Sequence, residues 1–369
     1  MKMNFYNAKS ITLLVFLTSL FLFSLTSCGG KGQALGLEDE IIVIADSLEY
    51  YEFEDELLTV FSKIIYTPQP EKLFELNRKS IAELESLKRR KNVIIIAPLN
   101  SGGRVSKYIE NSLDSTVAAM VERGEEFVFN KHDLWATGQL VMFVTAPSIT
   151  QLENNLLQNS ENLLHFFKKA SDERLYRNLY NPKFEKKDVE AQLLNDYGWI
   201  IYVQQDFHKA LDKPEDNFVW LRRAPGSDME RWIFVNWIDN ASPEFLHPDS
   251  VIKLRNRLTH DHYRSSDDDN YVEIADDYLT TSEVNFKGKY AIMTQGLWRM
   301  DDKSMGGPFV NYTFYDEETR RIYMLDGAIY APKYYKKRLI QQVDVVLHSF
   351  MTKSELSEEK IATLMKELK

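Results

Sequence analysis

Short, nearly continuous apolar segments set the strongest constraint on how this chain can fold. Four of them, each of five or six residues, recur along the sequence: 40–45 (EIIVIA), 93–97 (VIIIA), 199–203 (WIIYV) and 232–237 (WIFVNW). Because they lack the apolar–polar alternation of a half-exposed strand, they predict strands that are buried on both faces. Segments with helical spacing of apolar residues lie between them, so the chain is predicted to form sheets covered by helices.

A repeated pattern predicts that the folded body consists of two related halves. Each half contains a Leu-Trp pair, a strand, an Ala-Pro pair and a long amphipathic helix, beginning at Leu134-Trp135 in one half and Leu297-Trp298 in the other. The predicted fold is α+β, with two related α/β-sandwich halves at residues 38–190 and 191–352, each a mixed or antiparallel sheet with helices packed on it. Residues 353–369 are predicted to form a C-terminal helix.

The beginning of the sequence has the pattern of a secretory leader. Lys2 and Lys9 stand in a segment without acidic residues, and an apolar run over residues 11–25 follows. This run is shorter than the roughly 20 apolar residues of a membrane-spanning helix, so residues 1–27 are predicted to be a signal peptide. The run ends in Leu25-Thr26-Ser27-Cys28, which resembles the bacterial lipoprotein box. The resemblance implies that Cys28 becomes a diacylated N-terminus, with palmitate as a typical acyl chain; the alternative is a buried cysteine after an ordinary signal or an anchor helix.

Acylation of Cys28 predicts a lipid bilayer as a partner and the cell envelope as the location. Two or three acyl chains hold a protein stably on a membrane, whereas a single chain binds only marginally. Loss of Lys2 and Lys9 takes the formal net charge from −10 to −12, so the body has no electrostatic reason to lie on anionic lipid. We expect it to hang from a flexible, glycine-rich, lipidated tether at residues 28–37. The absence of an acidic cluster after the cysteine favours the periplasmic side of the outer membrane over the cell surface, by resemblance to lipoproteins of Bacteroidota.

The composition excludes several classes of protein. A single cysteine among 369 residues excludes a disulfide framework and a thiolate metal cluster. The excess of 55 acidic over 45 basic residues argues against a nucleic-acid partner, since such partners require clustered Lys and Arg. Hydrophobic residues at 44% and charged residues at 27% are ordinary for a folded protein and exclude a disordered chain.

Motifs spread over the folded body resemble those of one known family. They are YTPQPE at residues 66–71, RKNVII at 90–95, GLWRM at 296–300, MGGPFV at 305–310 and GAIYAP at 327–332. With these motifs the chain resembles the Bacteroidota lipoprotein family designated domain-of-unknown-function family 4837. The resemblance brings no known activity with it and therefore implies no catalytic residue.

The segment 298–310 is the strongest candidate for a binding site. Paired glycines permit a close approach of the backbone to a ligand, and an aromatic ring, a guanidinium group and two carboxylates stand near them. Such a combination suits molecular recognition in a cleft. The predicted ligand-binding residues, placed in a cleft between the halves, are Trp298, Arg299, Met305, Gly306, Gly307 and Pro308. The alternative is a hairpin loop whose Trp298 and Phe309 fill the core.

No pattern in the sequence predicts a metal centre, a cofactor or a catalytic set. His260-Asp261-His262 lacks a third nearby ligand, and Asp267-Asp268-Asp269 lacks the spacing of a calcium loop, so we interpret both as parts of a solvated loop. The G-x-S-x-G motif of a serine hydrolase is absent. Residues 100–104 with Lys107 could hold an anion at a helix N-terminus, but an ordinary strand-to-helix turn is the simpler interpretation.

Three Asp-Ser triplets resemble the O-glycosylation sequence of Bacteroidota. They make Ser47, Ser115 and Ser250 candidate acceptors. The alternative is helix capping, for which an Asp-Ser pair is well suited.

These observations predict a lipid-anchored, non-catalytic binding or scaffolding protein that faces the periplasm and whose partner is an envelope protein or a small ligand. One alternative is a periplasmic hydrolase acting on envelope glycans or peptides, and another is a purely structural tether. Two buried carboxylates that face each other across a cleft would favour the hydrolase. Lack of any concave pocket would favour the tether.

Overall fold

The computed structural model describes residues 31–265, 267 and 269–368, so the predicted signal peptide and Cys28 lie outside the described residues. The strands of the first half are β1 (Glu40–Ile44), β2 (Ile64–Tyr66), β3 (Pro70–Lys72), β4 (Glu75–Lys79), β5 (Asn92–Ile96), β6 (Val128–His132) and β7 (Leu140–Val144). Its helices are α1 (Ser47–Phe61), α2 (Leu84–Leu87), α3 (Arg104–Ser112), α4 (Ser115–Glu122), α5 (Ile149–Gln158) and α6 (Ser160–Leu179).

A five-stranded mixed sheet lies at the centre of the first half, with the strand order β4-β1-β5-β7-β6. The first four strands in this order run parallel, and β6 runs antiparallel to β7. Helices α1, α5 and α6 cover one face of the sheet, and α2 and α3 cover the other. Burial on both faces explains why β1 and β5 are continuously apolar. Strands β2 and β3 form a separate hairpin.

The second half contains more strands and fewer helices. Its strands are β8 (Trp199–Ile200), β9 (Phe207–Lys213), β10 (Phe218–Arg223), β11 (Glu230–Ile238), β12 (Val272–Ile274), β13 (Thr280–Phe286), β14 (Lys289–Met300), β15 (Gly306–Asp316), β16 (Arg321–Tyr330) and β17 (Met351–Thr352). Its helices are α7 (Lys187–Tyr197), α8 (Pro248–His262), α9 (Lys337–Leu347) and α10 (Glu358–Met365).

An eight-stranded antiparallel sheet forms the second core, in the order β12-β14-β15-β16-β11-β10-β9, with β13 also paired to β14. Helices α7 and α9 pack on one face of this sheet, and α8 packs on the other. Helix α10 packs against α7, together with the short β8–β17 pair.

The α+β class is confirmed, with helices packed on a mixed sheet in one half and on an antiparallel sheet in the other. The strand-by-strand correspondence expected between the halves is not found. Trp199 and Ile200, expected to match the first strand, lie in the separate pair β8–β17. The Leu-Trp pairs also differ, because Trp135 follows β6 in a loop whereas Trp298 lies within β14. The Ala-Pro pairs do occupy equivalent places, each between a strand and a helix.

The element boundaries modify the expected segmentation of the chain. Helix α7 crosses the predicted boundary at residue 190, and its Val189 and Leu193 belong to the second core. Part of the expected flexible tether is attached to the first half, since Ala34 N donates to Thr137 O at 2.9 Å. Within the C-terminal segment the structure has a short 3-10 helix at Lys353–Glu355 and then α10. In the described part of the chain, none of the helices combines the length and the apolarity needed to cross a membrane.

Candidate functional site

The two halves meet where α6 of the first half lies beside α9 of the second. Helix α9 packs unusually close to its own sheet because Gly327 on β16 carries no side chain; a Cβ at that position would overlap Val343 Cγ1. The apolar side chains of α9, such as Val343 and Leu347, are thereby buried, and its polar side chains Gln341 and Asp344 lie at the junction with α6.

A carboxylate from the first half caps the N-terminus of α9. Glu71 on β3 is 7% exposed; its Oε1 accepts a hydrogen bond from Lys336 N at 2.8 Å, and its Oε2 accepts one from Lys337 N at 3.2 Å. The hydroxyl of Thr67 donates to the same carboxylate. A negative charge is favourable at this end of a helix, because the first N–H groups have no partners within the helix. Glu71 therefore positions α9 relative to the first half.

An ion-pair cluster supports the same junction. Lys337 Nζ lies 3.0 Å from Asp39 Oδ2, and Arg338 donates to the other carboxylate oxygen. Partial burial acts to raise the pKa of Asp39, but the hydrogen bonds and charges of Arg338 and Lys337 outweigh it and hold the pKa below its usual value.

A buried polar network continues along α6. Arg174, 6% exposed, donates from Nε to Glu38 Oε2 at 2.8 Å and from Nη2 to Asn92 Oδ1 at 2.8 Å. Nearby on the same helix, Asp172 Oδ1 accepts a hydrogen bond from Gln341 Nε2 of α9 at 2.7 Å. The hydrogen bond from Gln341 orients the Asp172 carboxylate at the place where the halves meet.

Three cavities open around the α6–α9 junction, with volumes of about 260, 460 and 670 Å³. Asp172 of α6 and Asp344 of α9 line all three of them. We call this region the α6–α9 cleft. Volumes of this order match pockets that hold small molecules.

Six carboxylates and four Lys or Arg side chains line the three cavities of the α6–α9 cleft, and two aromatic groups contact one of the carboxylates. Tyr312 donates its hydroxyl to Asp344 Oδ1 at 2.8 Å, and His348 Nδ1 lies 3.5 Å from the same oxygen. Burial raises the pKa of Asp172, the hydrogen bond from Gln341 opposes this, and the nearby charge of Asp344 raises it further. Burial and Asp344 also raise the pKa of the Tyr312 hydroxyl. The arrangement provides acceptors for a cationic group or for hydroxyl donors.

The structure does not bring the six binding residues predicted from sequence to this cleft. Trp298, Arg299, Met305, Gly306, Gly307 and Pro308 belong to the β14–β15 hairpin and its turn, and none of them lines the three cavities. The expected loop is mostly paired strand, with Trp298 opposite Gly307 and Arg299 opposite Gly306.

Trp298 occupies the core position that the alternative interpretation described. Its side chain is 1% exposed, its indole N–H donates to Ile329 O at 3.1 Å, and its ring centroid lies 4.7 Å from that of Trp232. A Cβ at Gly307 would overlap the same Ile329 carbonyl. The glycine is therefore required for close packing of strands within the core, and this packing leaves no room for a ligand.

The other members of this set have partners or lie in the turn. Arg299 Nε lies 2.8 Å from Glu273 Oε1, so its guanidinium is paired within the sheet. Pro308 is buried, and Met305 stands in the turn with 36% of its surface exposed.

The N-terminus of α3, considered above as an anion site, is occupied by the chain's own carboxylate. Asp46 Oδ2 accepts a hydrogen bond from Val105 N at 2.9 Å. A Cβ at Gly103 would lie 2.5 Å from the same oxygen, so there is little space for a second anion. The turn therefore has a structural role.

The histidine cluster also has local partners. His260 Nδ1 lies 2.8 Å from Asp261 Oδ1, and the His262 ring stacks on Phe218 with centroids 4.2 Å apart. Asp268 of the neighbouring acidic run lies outside the described residues. Over residues 31–265, 267 and 269–368, no group of three or more His, Cys, Asp or Glu side chains is placed to hold a metal ion.

All three candidate glycosylation serines lie in the first turn of a helix. Ser47 and Ser115 are exposed at the first positions of α1 and α4, and Ser250 is half-buried in α8. Asp114 caps α4 by accepting from Thr116 N at 2.9 Å, as the capping interpretation expects. Modification of these serines stays a prediction.

Sequence reasoning missed the residues that line the α6–α9 cleft. Asp172 and Asp344 stand 172 positions apart on the outward faces of amphipathic helices, where a carboxylate is ordinarily solvated. The sequence carries a partial signal for Glu71, because this residue ends the family-like motif YTPQPE at residues 66–71.

Two family models match the chain, one in each half. Residues 185–349 match "Domain of unknown function (DUF4837)", and residues 34–180 match "Domain of unknown function (DUF8532)". The resemblance to family 4837 is thereby confirmed over the second half. No curated protein matches the chain in sequence.

Solved structures give distant likenesses. The chain is similar to a point mutant of the protein Mog1 at 11% identity, covering 42% of this chain and 90% of that one, with a TM-score of 0.28. It is similar to the Saccharomyces cerevisiae Ran-binding protein Mog1p at 12% identity, covering 43% and 94%, with a TM-score of 0.29. A Bacteroides thetaiotaomicron structure is similar at 5% identity, covering 44% and 47%, with a TM-score of 0.24. TM-scores this low carry no argument about fold or function.

Proposed function

We propose that this chain, whose second half belongs to the family DUF4837, is a lipid-anchored binding protein of the cell envelope. In this proposal the α6–α9 cleft holds a small polar ligand that carries a positive charge or several hydroxyl groups. One observation carries the proposal: Asp172 and Asp344, one from each half, line all three cavities at the junction. A ligand held by both carboxylates would bridge the halves.

The chemistry of the lining supports such a ligand. Asp172 Oδ1 accepts from Gln341, which leaves the second oxygen of this carboxylate for a donor on the ligand. The elevated pKa of Asp172 indicates that burial and the charge of Asp344 disfavour a negative charge there, although Gln341, Lys168 and His348 act in the opposite direction. A bound ammonium group or hydroxyl donor would relieve that condition, and Tyr176 beside it offers an aromatic face.

The anchor is the second part of the proposal. Residues 1–27 are proposed to be removed and Cys28 to carry the acyl chains. We propose that the anchored body lies in the periplasm on the outer membrane. Mass spectrometry of the protein from envelope fractions tests this part directly. We expect an N-terminus at Cys28 with diacylglyceryl and amide-linked acyl masses, and a free thiol or a retained leader would contradict it.

The ligand part is tested by a thermal-shift screen of the full chain with polyamines, amino sugars and neutral oligosaccharides. We expect at least one class to raise the Tm of the wild type and to have no effect on the Asp172→Asn, Asp344→Asn double variant. Asp276→Asn is the matched control, since its side chain is 95% exposed and lines none of the three cavities. A Tm shift that survives in the double variant would place the ligand elsewhere.

A hydrolase is the second candidate, and one observation favours it. Asp172 and Asp344 form a carboxylate pair across a cleft, with the pKa of Asp172 raised by burial and by Asp344, and such pairs serve as general acid and base. Turnover of chromogenic glycosides or peptides that disappears in both Asp→Asn single variants would establish the hydrolase and contradict the binding role.

A further inference from the structure

A further cavity, of about 280 Å³, lies in the first half and shares no lining residue with the α6–α9 cleft. It is bounded by the end of α3, the start of α4, strands β6 and β7, and the loop that follows β6. We call it the β6–β7 cavity. Four aromatic and two charged side chains are part of its lining: Tyr108, Phe129, Phe143, Trp135, Asp114 and Lys131.

The break between α3 and α4 explains why this cavity exists. Helix α3 packs against β5 and ends at Ser112, and the next two residues are extended before α4 begins. Phe129 and Phe143 stand opposite each other in the β6–β7 pair, so they project from the same face of the sheet. Lys131, two residues further along β6, projects from that face as well. The cavity is the space that the interrupted helices leave over β6 and β7.

Aromatic rings supply the apolar walls of the β6–β7 cavity. The rings of Tyr108 and Phe143 are nearly parallel, with an interplanar angle of 7° and centroids 6.5 Å apart. Phe143 is buried, whereas Phe129 and Trp135 are only half-buried and keep apolar surface accessible. Flat apolar surfaces of this kind suit a ligand with a ring.

Several polar groups of the lining are available to a ligand. Lys131 Nζ and the Tyr108 hydroxyl form no hydrogen bond or ion pair with any residue that the structure describes, and neither does the indole N–H of Trp135. Asp114 Oδ1 accepts from two backbone N–H groups of α4 at 2.9 and 3.0 Å, whereas its Oδ2 accepts from none of the described residues. The lining therefore offers both donors and an acceptor.

We propose that the β6–β7 cavity binds one neutral sugar ring, a hexopyranose. A pyranose has flat C–H faces, which pack on aromatic rings, and a rim of hydroxyl groups, which both donate and accept hydrogen bonds. The opposite charges of Asp114 and Lys131 favour a neutral ligand, because a charged one would be attracted by one side chain and repelled by the other.

The volume of the cavity agrees with a ligand of this size. An engineered cavity of about 150 Å³ holds benzene, so about 280 Å³ has room for one six-membered ring with its hydroxyl groups. Binding at this site requires neither acylation of Cys28 nor a ligand in the α6–α9 cleft.

Trp135 provides an optical readout, since the other five tryptophans are buried. The full chain is titrated separately with the methyl glycosides of glucose, galactose, mannose and N-acetylglucosamine. We expect at least one of them to change the tryptophan emission in a saturable way and to protect it from acrylamide quenching. No saturable change with any of the four would overturn the proposal.

Variants of the lining locate the binding, followed by saturation-transfer NMR of the sugar so that the readout does not depend on the Trp135 emission. We expect Trp135→Ala to weaken binding about tenfold or more, and exposed Lys131→Met about three- to tenfold. Tyr335→Ala and Lys107→Met are the matched controls, because both side chains are exposed and neither lines the cavity. If Trp135→Ala does not fold, Lys131→Met decides, and wild-type affinity in the folded variants would overturn the proposal.

Two further measurements separate this site from its alternatives. The Asp172→Asn, Asp344→Asn double variant should bind the sugar like the wild type; loss of binding there would place the sugar in the α6–α9 cleft and overturn the proposal. N-acetyl-tyrosine amide is the probe for an aromatic side chain of a peptide. Saturable binding of this probe without binding of any methyl glycoside would show that the cavity takes a peptide instead of a sugar.

Discussion

At the scale of single residues, Trp298 shows how a conspicuous motif can serve packing. Its ring is buried against Trp232, and its N–H satisfies the Ile329 carbonyl. We predict that Trp298→Ala lowers the free energy of unfolding by about 3–5 kcal/mol, through a cavity and an orphaned carbonyl. Urea unfolding followed by circular dichroism measures this change.

The turn residue Met305 provides the control for that prediction. Its side chain is partly exposed, and its carbonyl, which accepts from Met300 N at 2.9 Å, survives truncation. Met305→Ala should change the unfolding free energy by about 0.5 kcal/mol or less. Equal losses in the two variants would show that Trp298 is not a core residue.

The role of the two cleft carboxylates could not be predicted from the sequence. Asp172 stands between Ser171 and Glu173 on α6, and Asp344 stands between Val343 and Val345 on α9. Either carboxylate would pass for the exposed polar residue of an amphipathic helix. Their role depends on α6 and α9 lying side by side, which no local pattern specifies. The ion pair of Arg255 and Asp326 was equally unpredictable from the sequence. Both side chains are completely buried, and Arg255 Nε lies 2.6 Å from Asp326 Oδ2.

At the scale of elements, the cap on α9 makes a direct prediction. Glu71→Ala removes the carboxylate that accepts from Lys336 N and Lys337 N. We expect a loss of about 1–2 kcal/mol of stability, since these donors stay partly buried without a partner. Glu71→Gln, which keeps an acceptor without the charge, should lose less.

Glu75→Ala is the matched control for the cap. Glu75 lies on β4, the next strand along the chain, and its side chain is 62% exposed. Its Oε2 lies 3.2 Å from Lys72 Nζ. A surface pair of this kind contributes about 0–1 kcal/mol. If Glu71→Ala costs no more than Glu75→Ala in urea unfolding, Glu71 does not position α9.

Helix α7 carries a buried carboxylate with a pH-dependent effect. Glu190 is 1% exposed, accepts from Val203 N at 3.0 Å and lies 3.5 Å from Lys360 Nζ of α10. Burial raises its pKa from 4.5 to about 8, against the opposing hydrogen bond from Val203, and nearby Glu185 adds to the rise. The folded state therefore favours the protonated acid.

The raised pKa of Glu190 makes its contribution to the stability of the fold dependent on pH. Protonated Glu190 makes its full contribution to the free energy of unfolding below about pH 4.5, and this contribution is lost as the pH rises through about 8. The unfolding free energy of the wild type relative to Glu190→Gln should therefore fall over this range, by at most about 1.4 kcal/mol per pH unit. A difference that is flat from about pH 5 to about pH 8 would contradict the raised pKa.

The elements themselves were largely predictable. Strands β1 and β5 were visible because strands covered on both faces are continuously apolar. Helix α1 and the strand–Ala-Pro–helix units were visible from helical spacing and from proline. The sequence did not predict whether neighbouring strands run parallel or antiparallel, since a short apolar run fits either arrangement. That is why the expected repeat did not extend to sheet topology.

At the scale of the whole molecule, the halves are joined through polar contacts. Glu71 and Asp39 of the first half hold the N-terminus of α9, and Gln341 reaches back to Asp172. Polar junctions of this kind are typical of domains that adjust to a ligand. The sequence predicted two halves, but the residues that join them could not be paired without the structure.

The proposed ligand binds across this junction through both carboxylates. Isothermal titration of the compound that most stabilises the wild type, against the wild type, Asp172→Asn, Asp344→Asn and the Asp276→Asn control, tests it most directly. We expect each cleft variant to weaken binding by about tenfold or more, roughly 1.4 kcal/mol, and the control to bind like the wild type. Wild-type affinity in both cleft variants would contradict it.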